Sequence, residues 1–248
     1  MANCAAGTTA NYCPSDCPGG CDDHCWWTTC RDSVQQALTA LAWAESNLCV
    51  DRDRIWMAGS SNGGMLVYDL ANDPRLADRL AGIATELATP HYGYSFGPLA
   101  TPMSMVSVYG LADIVVPPVA DQTHSEYSAA HPDRTFDTSE SGWYYTSAEA
   151  VGWLLGAMDE CAGTEQVDGT AVGGPASLSC TRHTGCPGEV DVVGCFHAGG
   201  HVKDSGGRAV MAGFMATHRW VRPRCWGAAS LSGCWGVRRY WGMERPDL

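Results

Sequence analysis

Short apolar runs alternate with amphipathic segments through the central part of the chain. Residues 55–58, 82–87, 103–109 and 190–196 form runs of strand length, whereas segments that begin near residues 33, 62, 146 and 208 carry apolar positions at helical spacing. Alternation of short buried strands with helices is typical of a mostly parallel sheet that has helices on both faces. We therefore expect an α/β fold over residues 32–221.

Two of the predicted helices have recognisable starts. Residues 32–35 and 146–149 each begin with Asp or Thr and place Gln or Glu three positions later, in the manner of a capping box. The last helix, over residues 208–219, is predicted to pack Val210, Met211 and Phe214 inward. The first helix is predicted to bury one face, which consists of Val34, Ala37, Leu38, Leu41 and Leu48. Residues 118–142 lack periodicity, so we expect a loop there that borders a ligand cleft.

The two ends of the chain differ from this pattern. Residues 1–31 form a cysteine-rich irregular segment, and residues 222–248 interleave arginine with tryptophan. Such interleaving occurs in segments that contact nucleic acids, but this one is short and broken by glycine. The net charge of −12 also disfavours phosphate backbones as partners. We expect an irregular tail, no nucleic-acid partner and, because no apolar run reaches eighteen residues, no membrane span.

One motif carries most of the chemical information. The first apolar run leads into Gly-Ser-Ser-Asn-Gly at residues 59–63, and a helical segment follows with no breaker before Asn72. A Gly-x-Ser-x-Gly turn between a strand and a helix is typical of a nucleophile elbow, in which a strained serine exposes its hydroxyl above the sheet. This interpretation predicts Ser61 as the nucleophile and places Gly59 and Gly63 where a Cβ would clash. An ordinary structural Ser-Gly turn is the alternative.

An acid and a histidine follow Ser61 in the order that such a serine needs. Asp113 lies just after the third apolar run, at the sheet edge where open parallel sheets bind ligands. His197 and His201 both follow the fourth run. Singly, Asp113 is consistent with a turn-capping residue and either histidine with a solvated loop residue. Together, in this order and each beyond a strand, they favour a Ser–His–Asp triad.

Several motifs resemble one family. Residues 59–65, Ala112-Asp113 with Val115-Val116-Pro117, and Gly199-Gly200-His201 are similar to the polyhydroxybutyrate depolymerase and feruloyl esterase branch of the α/β-hydrolases. The likeness covers residues 25–220 and includes Cys25-Trp26-Trp27, Cys49-Val50-Asp51 and Trp153 followed by Cys161. It implies an α/β-hydrolase fold and a serine carboxylic ester hydrolase that acts on polyester or on feruloyl or acetyl-type esters. It implies no cofactor and no metal.

Carried over residue by residue, the resemblance implies Ser61 as nucleophile, Asp113 as acid and His201 as base, with His197 as a spare histidine. Asn62 follows the nucleophile and would supply one backbone donor to the oxyanion hole. The second donor is expected from a strand that ends in a His-Gly type loop. No such strand occurs before Asp32, so we expect the sheet to be incomplete on its N-terminal side.

The 13 cysteines allow two interpretations. A zinc site is one, but the cluster in residues 1–31 has mostly C-x-x-x-C spacings and His24 as its only histidine. Disulfides in an oxidising compartment are the other, which we prefer. The resemblance implies a bridge between Cys25 and Cys49, and leaves as further candidates Cys161, Cys180, Cys186 and Cys195.

Disulfides favour an extracellular protein or one in the secretory pathway, yet no signal peptide opens the chain. We therefore expect the sequence to begin inside a longer precursor or to be a fragment of its gene. Two other functions stay open. A serine peptidase of the prolyl oligopeptidase type uses the same fold and chain order, and would cleave peptide anilides. A catalytically inactive hydrolase-like module would bind acyl or sugar ligands without turnover.

Overall fold

The structure, a computed structural model, describes residues 33–90, 101–118, 136–138 and 144–219. Its α-helices are α1 (Ser33–Asn47), α2 (Asn62–Asn72), α3 (Pro74–Ala77), α4 (Ala148–Met158) and α5 (Ser205–Thr217). Its strands are β1 (Trp56–Ser60), β2 (Gly82–Glu86), β3 (Ser104–Gly110), β4 (Phe136–Thr138), β5 (Tyr144–Thr146), β6 (Gly163–Asp168), β7 (Ser179–Thr184) and β8 (Val192–His197). The cysteine-rich segment predicted at 1–31 and the tail predicted at 222–248 lie outside these ranges.

Six strands form one mixed sheet in the order β1-β2-β3-β8-β7-β6. The pairings β1–β2, β2–β3 and β3–β8 are parallel, and β8–β7 and β7–β6 are antiparallel. The predicted α/β architecture with a mostly parallel sheet is therefore confirmed at this level. The four parallel strands are the four apolar runs of the sequence, and β2 and β3 are buried along their whole length.

The two antiparallel hairpins were not predicted. In β6, nearly every residue is exposed, so its sequence lacks the apolar alternation by which strands are recognised. The short strand β4 lies inside residues 118–142, where we expected a loop, and it pairs with β5. The rest of that predicted loop, residues 119–135 and 139–142, lies outside the described residues.

Helices cover both faces of the sheet, as predicted. On one face, α2 and α4 pack Val67 and Val151 against a cluster that includes Ile83 and Met105. On the other face, α5 packs Val210 and Phe214 against the next cluster, whose sheet residues include Ala84, Val106, Val108 and Val193. Because neighbouring side chains of a strand point to opposite faces, β3 supplies Met105 to the first cluster and Val106 to the second.

Two helix predictions need correction at their ends. Helix α5 begins at Ser205, before the predicted start at Arg208, because the Asp204 carboxylate accepts the Gly207 N–H at 2.7 Å and caps the helix there. Helix α1 buries Val34 and packs Leu38 against Leu70 and Leu76. Leu48, which was expected on that face, follows the end of the helix and is 57% exposed.

The disulfides tie the antiparallel part of the sheet. Cys180 and Cys195 face each other across β7 and β8 and are bonded, and Cys161 is bonded to Cys186. These two bridges use the four cysteines that were predicted as further pairs. The bridge expected between Cys25 and Cys49 is wrong, because the Cys49 thiol is free and exposed; Cys25 itself lies outside the described residues.

No helix within the described ranges is long and apolar enough to cross a lipid bilayer.

One carboxyl group near the end of α4 is buried with little hydrogen bonding to compensate for the loss of water. Asp159 follows α4 and is 1% exposed, its two carboxyl oxygens have no hydrogen-bond partner among the described residues, and burial raises its pKa to about 8. Asp159 is therefore protonated in the folded protein over a pH range in which it ionises in the unfolded chain.

We expect Asp159→Asn to remove a pH dependence of stability. Since the pKa is about 4 in the unfolded chain and about 8 in the folded protein, the stability that the neutral carboxyl contributes is complete below about pH 4. It is then lost as the pH rises towards about 8, at ~1.4 kcal/mol per unit. Urea denaturation at pH 5 and pH 8 should show the variant gaining up to about 4 kcal/mol on the wild type between these pH values. A difference that is the same at both would contradict the assignment.

Candidate active site

A chain of hydrogen bonds links the three residues that the sequence predicted as a triad. Ser61 Oγ lies 3.0 Å from His201 Nε2, and His201 Nδ1 lies 2.7 Å from Asp113 Oδ2. Ser61 follows β1, Asp113 follows β3 and His201 follows β8. The three parallel strands end at the same edge of the sheet, so residues far apart in sequence meet there.

Ser61 occupies a strained turn between β1 and α2. Its φ of 54° and ψ of −128° lie outside the conformations that non-glycine residues favour, at a cost of about 1–3 kcal/mol. Hydrogen bonds on both sides hold the turn. The Ser61 N–H donates to the Glu86 carbonyl at 2.8 Å, and the Ser61 carbonyl accepts the N–H groups of Gly64 and Met65. The half-buried hydroxyl thus projects from the sheet edge towards His201.

Of the two glycines at which a Cβ was predicted to clash, Gly59 is confirmed and Gly63 is wrong. A Cβ on Gly59 would lie 2.2 Å from the Gly63 carbonyl oxygen, so Gly59 is required for the close approach of β1 and α2. A Cβ on Gly63 would meet nothing within 4 Å, which corrects the expectation that a side chain there would clash. Gly64 makes the second close contact instead, since its Cβ would lie 2.4 Å from Ala88 Cβ.

Asp113 is held so that one oxygen faces His201. Its side chain is 1% exposed, and Oδ1 accepts the N–H groups of Val115 at 2.8 Å and Val116 at 2.9 Å. These bonds leave Oδ2 for His201 Nδ1. Because an ionised carboxylate only accepts, Nδ1 donates to it, and the lone pair of Nε2 faces the Ser61 hydroxyl. The hydroxyl therefore donates to Nε2, the arrangement in which histidine can take up the serine proton.

A small apolar cluster surrounds the acid. Met65 of α2, Ala88, Val116 and Tyr145 of β5 pack together and are all buried. Burial raises the pKa of Tyr145, and the negative charge of Asp113 raises it further. The phenol of Tyr145 therefore stays neutral.

The loops that carry the acid and the base are joined through their backbones. Leu111 N–H donates to the His197 carbonyl at 2.9 Å, and Ala112 N–H donates to the Gly199 carbonyl at 3.0 Å. Gly110 makes this possible, because a Cβ there would lie 2.3 Å from the Gly200 carbonyl oxygen. His197 itself is 8% exposed, so it is not a solvated loop residue, and it is His201 that faces the Ser61 hydroxyl.

Asn62 lies where a donor to an oxyanion is needed. It is the exposed first residue of α2, and the first N–H groups of a helix have no acceptor within the helix. Its backbone N–H therefore lies beside Ser61 at the positive end of the helix dipole. The second backbone donor was expected from a strand before Asp32. Residues 1–32 lie outside the described part of the chain.

Large apolar side chains are exposed on the loops that carry the acid and the base. The described residues expose six large apolar side chains, and four of them belong to the loops of Asp113 and His201: Leu111, Ile114, Val115 and Val202. We call these four residues the apolar rim. Exposed apolar groups gathered at one place commonly mark a site of binding. Within the described ranges, no three His, Cys, Asp or Glu side chains are grouped so as to hold a metal ion.

Sequence reasoning missed the residues that shape this site without taking part in its polar contacts. Gly64 and Gly110 were not singled out, although one follows the serine turn directly and the other ends β3. The N–H groups of Val115 and Val116, which hold Asp113, carry no signal in residue type. A glycine at the end of the buried strand β3, with Gly-Gly after β8, is the one clue that the chain offered.

No protein-family model matches the chain, and no curated protein matches it. The resemblance to the depolymerase and feruloyl esterase branch therefore rests on the motifs alone and stays a hypothesis.

The glycine contacts predict three different outcomes for alanine. Gly59→Ala and Gly64→Ala should each destabilise the protein by more than about 3 kcal/mol, because the new methyl group overlaps packed atoms. Gly63→Ala should be neutral or stabilise by up to about 1 kcal/mol, because it adds helix propensity in open space. Urea denaturation measures all three variants, and equal losses from Gly63→Ala and Gly64→Ala would contradict the packing described for α2.

Proposed function

We propose that the protein is a serine carboxylic ester hydrolase with an α/β-hydrolase fold, acting through an acyl-enzyme intermediate. The observation that carries the proposal is the hydrogen-bonded sequence Ser61–His201–Asp113 at the carboxyl edge of parallel strands. The strained conformation of Ser61 adds support, because strain of this kind is concentrated at functional sites.

In the acylation step, Ser61 Oγ attacks the carbonyl carbon of the ester while His201 Nε2 takes the hydroxyl proton. Asp113 stays ionised, orients the ring and stabilises the imidazolium that forms. The negative charge on the substrate oxygen is stabilised by the Asn62 N–H at the start of α2. The tetrahedral intermediate then expels the alkoxide, which receives the proton from His201 Nε2.

Deacylation repeats these steps with water. His201 Nε2 takes a proton from a water molecule as its oxygen attacks the acyl carbon, and Ser61 Oγ leaves and recovers the proton from His201. The products are a carboxylic acid and the free serine. No step needs a metal or an organic cofactor, because His201 transfers each proton.

Two properties of the surface support a neutral ester with an apolar part. The apolar rim belongs to the loops that carry Asp113 and His201, whose side chains lead to Ser61, so we expect it to contact the acyl or aryl group of a substrate. The net charge of −12 disfavours anionic substrates. Polyester and feruloyl or acetyl-type esters, which the sequence resemblance implies, meet both conditions. The two disulfides are compatible with an extracellular protein, and we propose that location.

Replacing the serine tests the proposal directly. Ser61→Ala should lower kcat for p-nitrophenyl esters by about 10⁴- to 10⁶-fold, because the three residues act as a unit, and should abolish covalent labelling by a fluorophosphonate probe. Ser60→Ala is the matched control. The Ser60 hydroxyl is buried and has no hydrogen-bond partner among the described residues, so its removal should change neither labelling nor turnover.

The outcome also separates the alternatives. Cleavage of peptide anilides in preference to esters would assign the protein to the serine peptidases. A wild-type protein that is folded but neither labels nor hydrolyses either substrate would make it a binding module. Labelling at Ser60 would show that the serine turn has been misassigned.

The apolar rim predicts a preference for longer acyl groups. Two added methylene groups that are partly buried should raise kcat/KM about 3- to 10-fold from p-nitrophenyl acetate to butyrate. Replacing both Ile114 and Val202 by Ser should remove that preference and leave acetate hydrolysis within about threefold. Leu48→Ser is the control, since Leu48 is equally exposed but lies outside these loops. An unchanged preference in the double variant would show that the rim does not contact the acyl group.

A further inference from the structure

His197 closes a small turn within the loop that leads to His201. The Gly199 N–H donates to His197 Nδ1 at 3.0 Å, so the side chain of one residue binds the backbone two residues later. This is the pattern of an Asx turn, in which an Asn or Asp side-chain oxygen accepts the same N–H. Because Nδ1 accepts, the neutral ring carries its proton on Nε2.

The turn leaves His197 with an unsatisfied group. The Nε2 atom is buried and has no hydrogen-bond partner among the described residues, and a buried donor without an acceptor destabilises the folded protein. An apolar side chain at position 197 would avoid the unsatisfied donor, so stability alone does not explain a histidine there. The role of His197 therefore depends on the hydrogen bond that Nδ1 accepts.

The hydrogen bond that Nδ1 accepts lies at the contact between the two loops that carry Asp113 and His201. The residue whose N–H it accepts, Gly199, uses its own carbonyl to accept the Ala112 N–H, next to Asp113. The His197 carbonyl accepts the Leu111 N–H in parallel. The fit is tight, because a Cβ on Gly199 would lie 2.9 Å from His197 Nδ1. His201 follows two residues later, so the conformation of this turn sets where its ring lies.

We infer that His197 is a positioning residue: its Nδ1 holds residues 199–200 in the conformation that brings His201 between Ser61 and Asp113. The inference rests on the proposed function for its effect on turnover, but the turn is independent of that function. It assigns a role to the histidine that the sequence left as a spare.

Two substitutions separate this role from general packing. His197→Asn places an amide oxygen near the position of Nδ1 and can close an Asx turn. His197→Gln carries the same amide group one methylene farther out, so its oxygen misses the Gly199 N–H. We expect the Asn variant to keep kcat within about threefold of wild type. We expect the Gln variant to lose about 10- to 100-fold in kcat with little change in KM, because the base is displaced and substrate contacts are not.

A second measurement needs no turnover. The proton between His201 Nδ1 and Asp113 should give a strongly downfield NMR signal in the wild type and in His197→Asn, and that signal should be lost in His197→Gln. The Gly199 amide should be protected from hydrogen exchange in the first two proteins only. These signals persist even if the wild type hydrolyses no ester, so failure of the proposed function and failure of this inference are distinguishable.

Each result bears on the inference. It is overturned if His197→Gln keeps both turnover and the downfield signal, or if His197→Asn loses them to the same extent as His197→Gln. If His197→Gln does not fold, His197→Asn decides alone: retention of the signal and of Gly199 protection supports the inference, and loss of either overturns it.

Discussion

The candidate site depends on a close backbone contact between the loops that follow β3 and β8. Residues 199–200 cross the end of β3 where Gly110 has no side chain, and a Cβ at that position would overlap the Gly200 carbonyl oxygen. Two backbone hydrogen bonds then join the loops, one to His197 and one to Gly199. Since Asp113 belongs to one loop and His201 to the other, the 2.7 Å separation of their side chains follows from this contact.

The third partner is held by an independent part of the fold. Ser61 keeps its unfavourable backbone conformation because β2 accepts its N–H and the first turn of α2 binds its carbonyl. Helix α2 is in turn anchored to the sheet, where the Tyr68 hydroxyl lies 3.1 Å from Thr85 Oγ1, which lies 2.6 Å from Ser107 Oγ. These buried hydroxyl groups satisfy one another, so the anchor is polar and directional as well as apolar. A rigid scaffold of this kind is what a strained residue requires.

Two buried carboxyl groups, those of Asp159 and Asp113, differ in their hydrogen bonds. Asp159 is buried without a hydrogen-bond partner among the described residues, so desolvation raises its pKa and favours the neutral form. Asp113 is buried to a similar degree, but its oxygens accept two backbone N–H groups and one N–H from His201. The two carboxyl groups therefore differ in local hydrogen bonding and not in burial, since both oxygens of Asp159 lack a partner among the described residues.

The sequence by itself determined the parallel strands, the covering helices and the order of Ser61, Asp113 and His201, because apolar runs and turn residues act locally and leave a periodic signal. It did not reveal β6 and β7, whose polar residues are stabilised by pairing and by two disulfides instead of by burial on both faces. The sequence predicted that a Cβ would clash at Gly63, whereas the clash occurs at Gly64. A close approach depends on which atoms of other elements lie beside the residue. The resemblance already implied His201 as the base, but only the tertiary structure decided how its ring reaches Ser61: His197 is the last residue of β8, and the loop that crosses Gly110 carries His201 to Ser61.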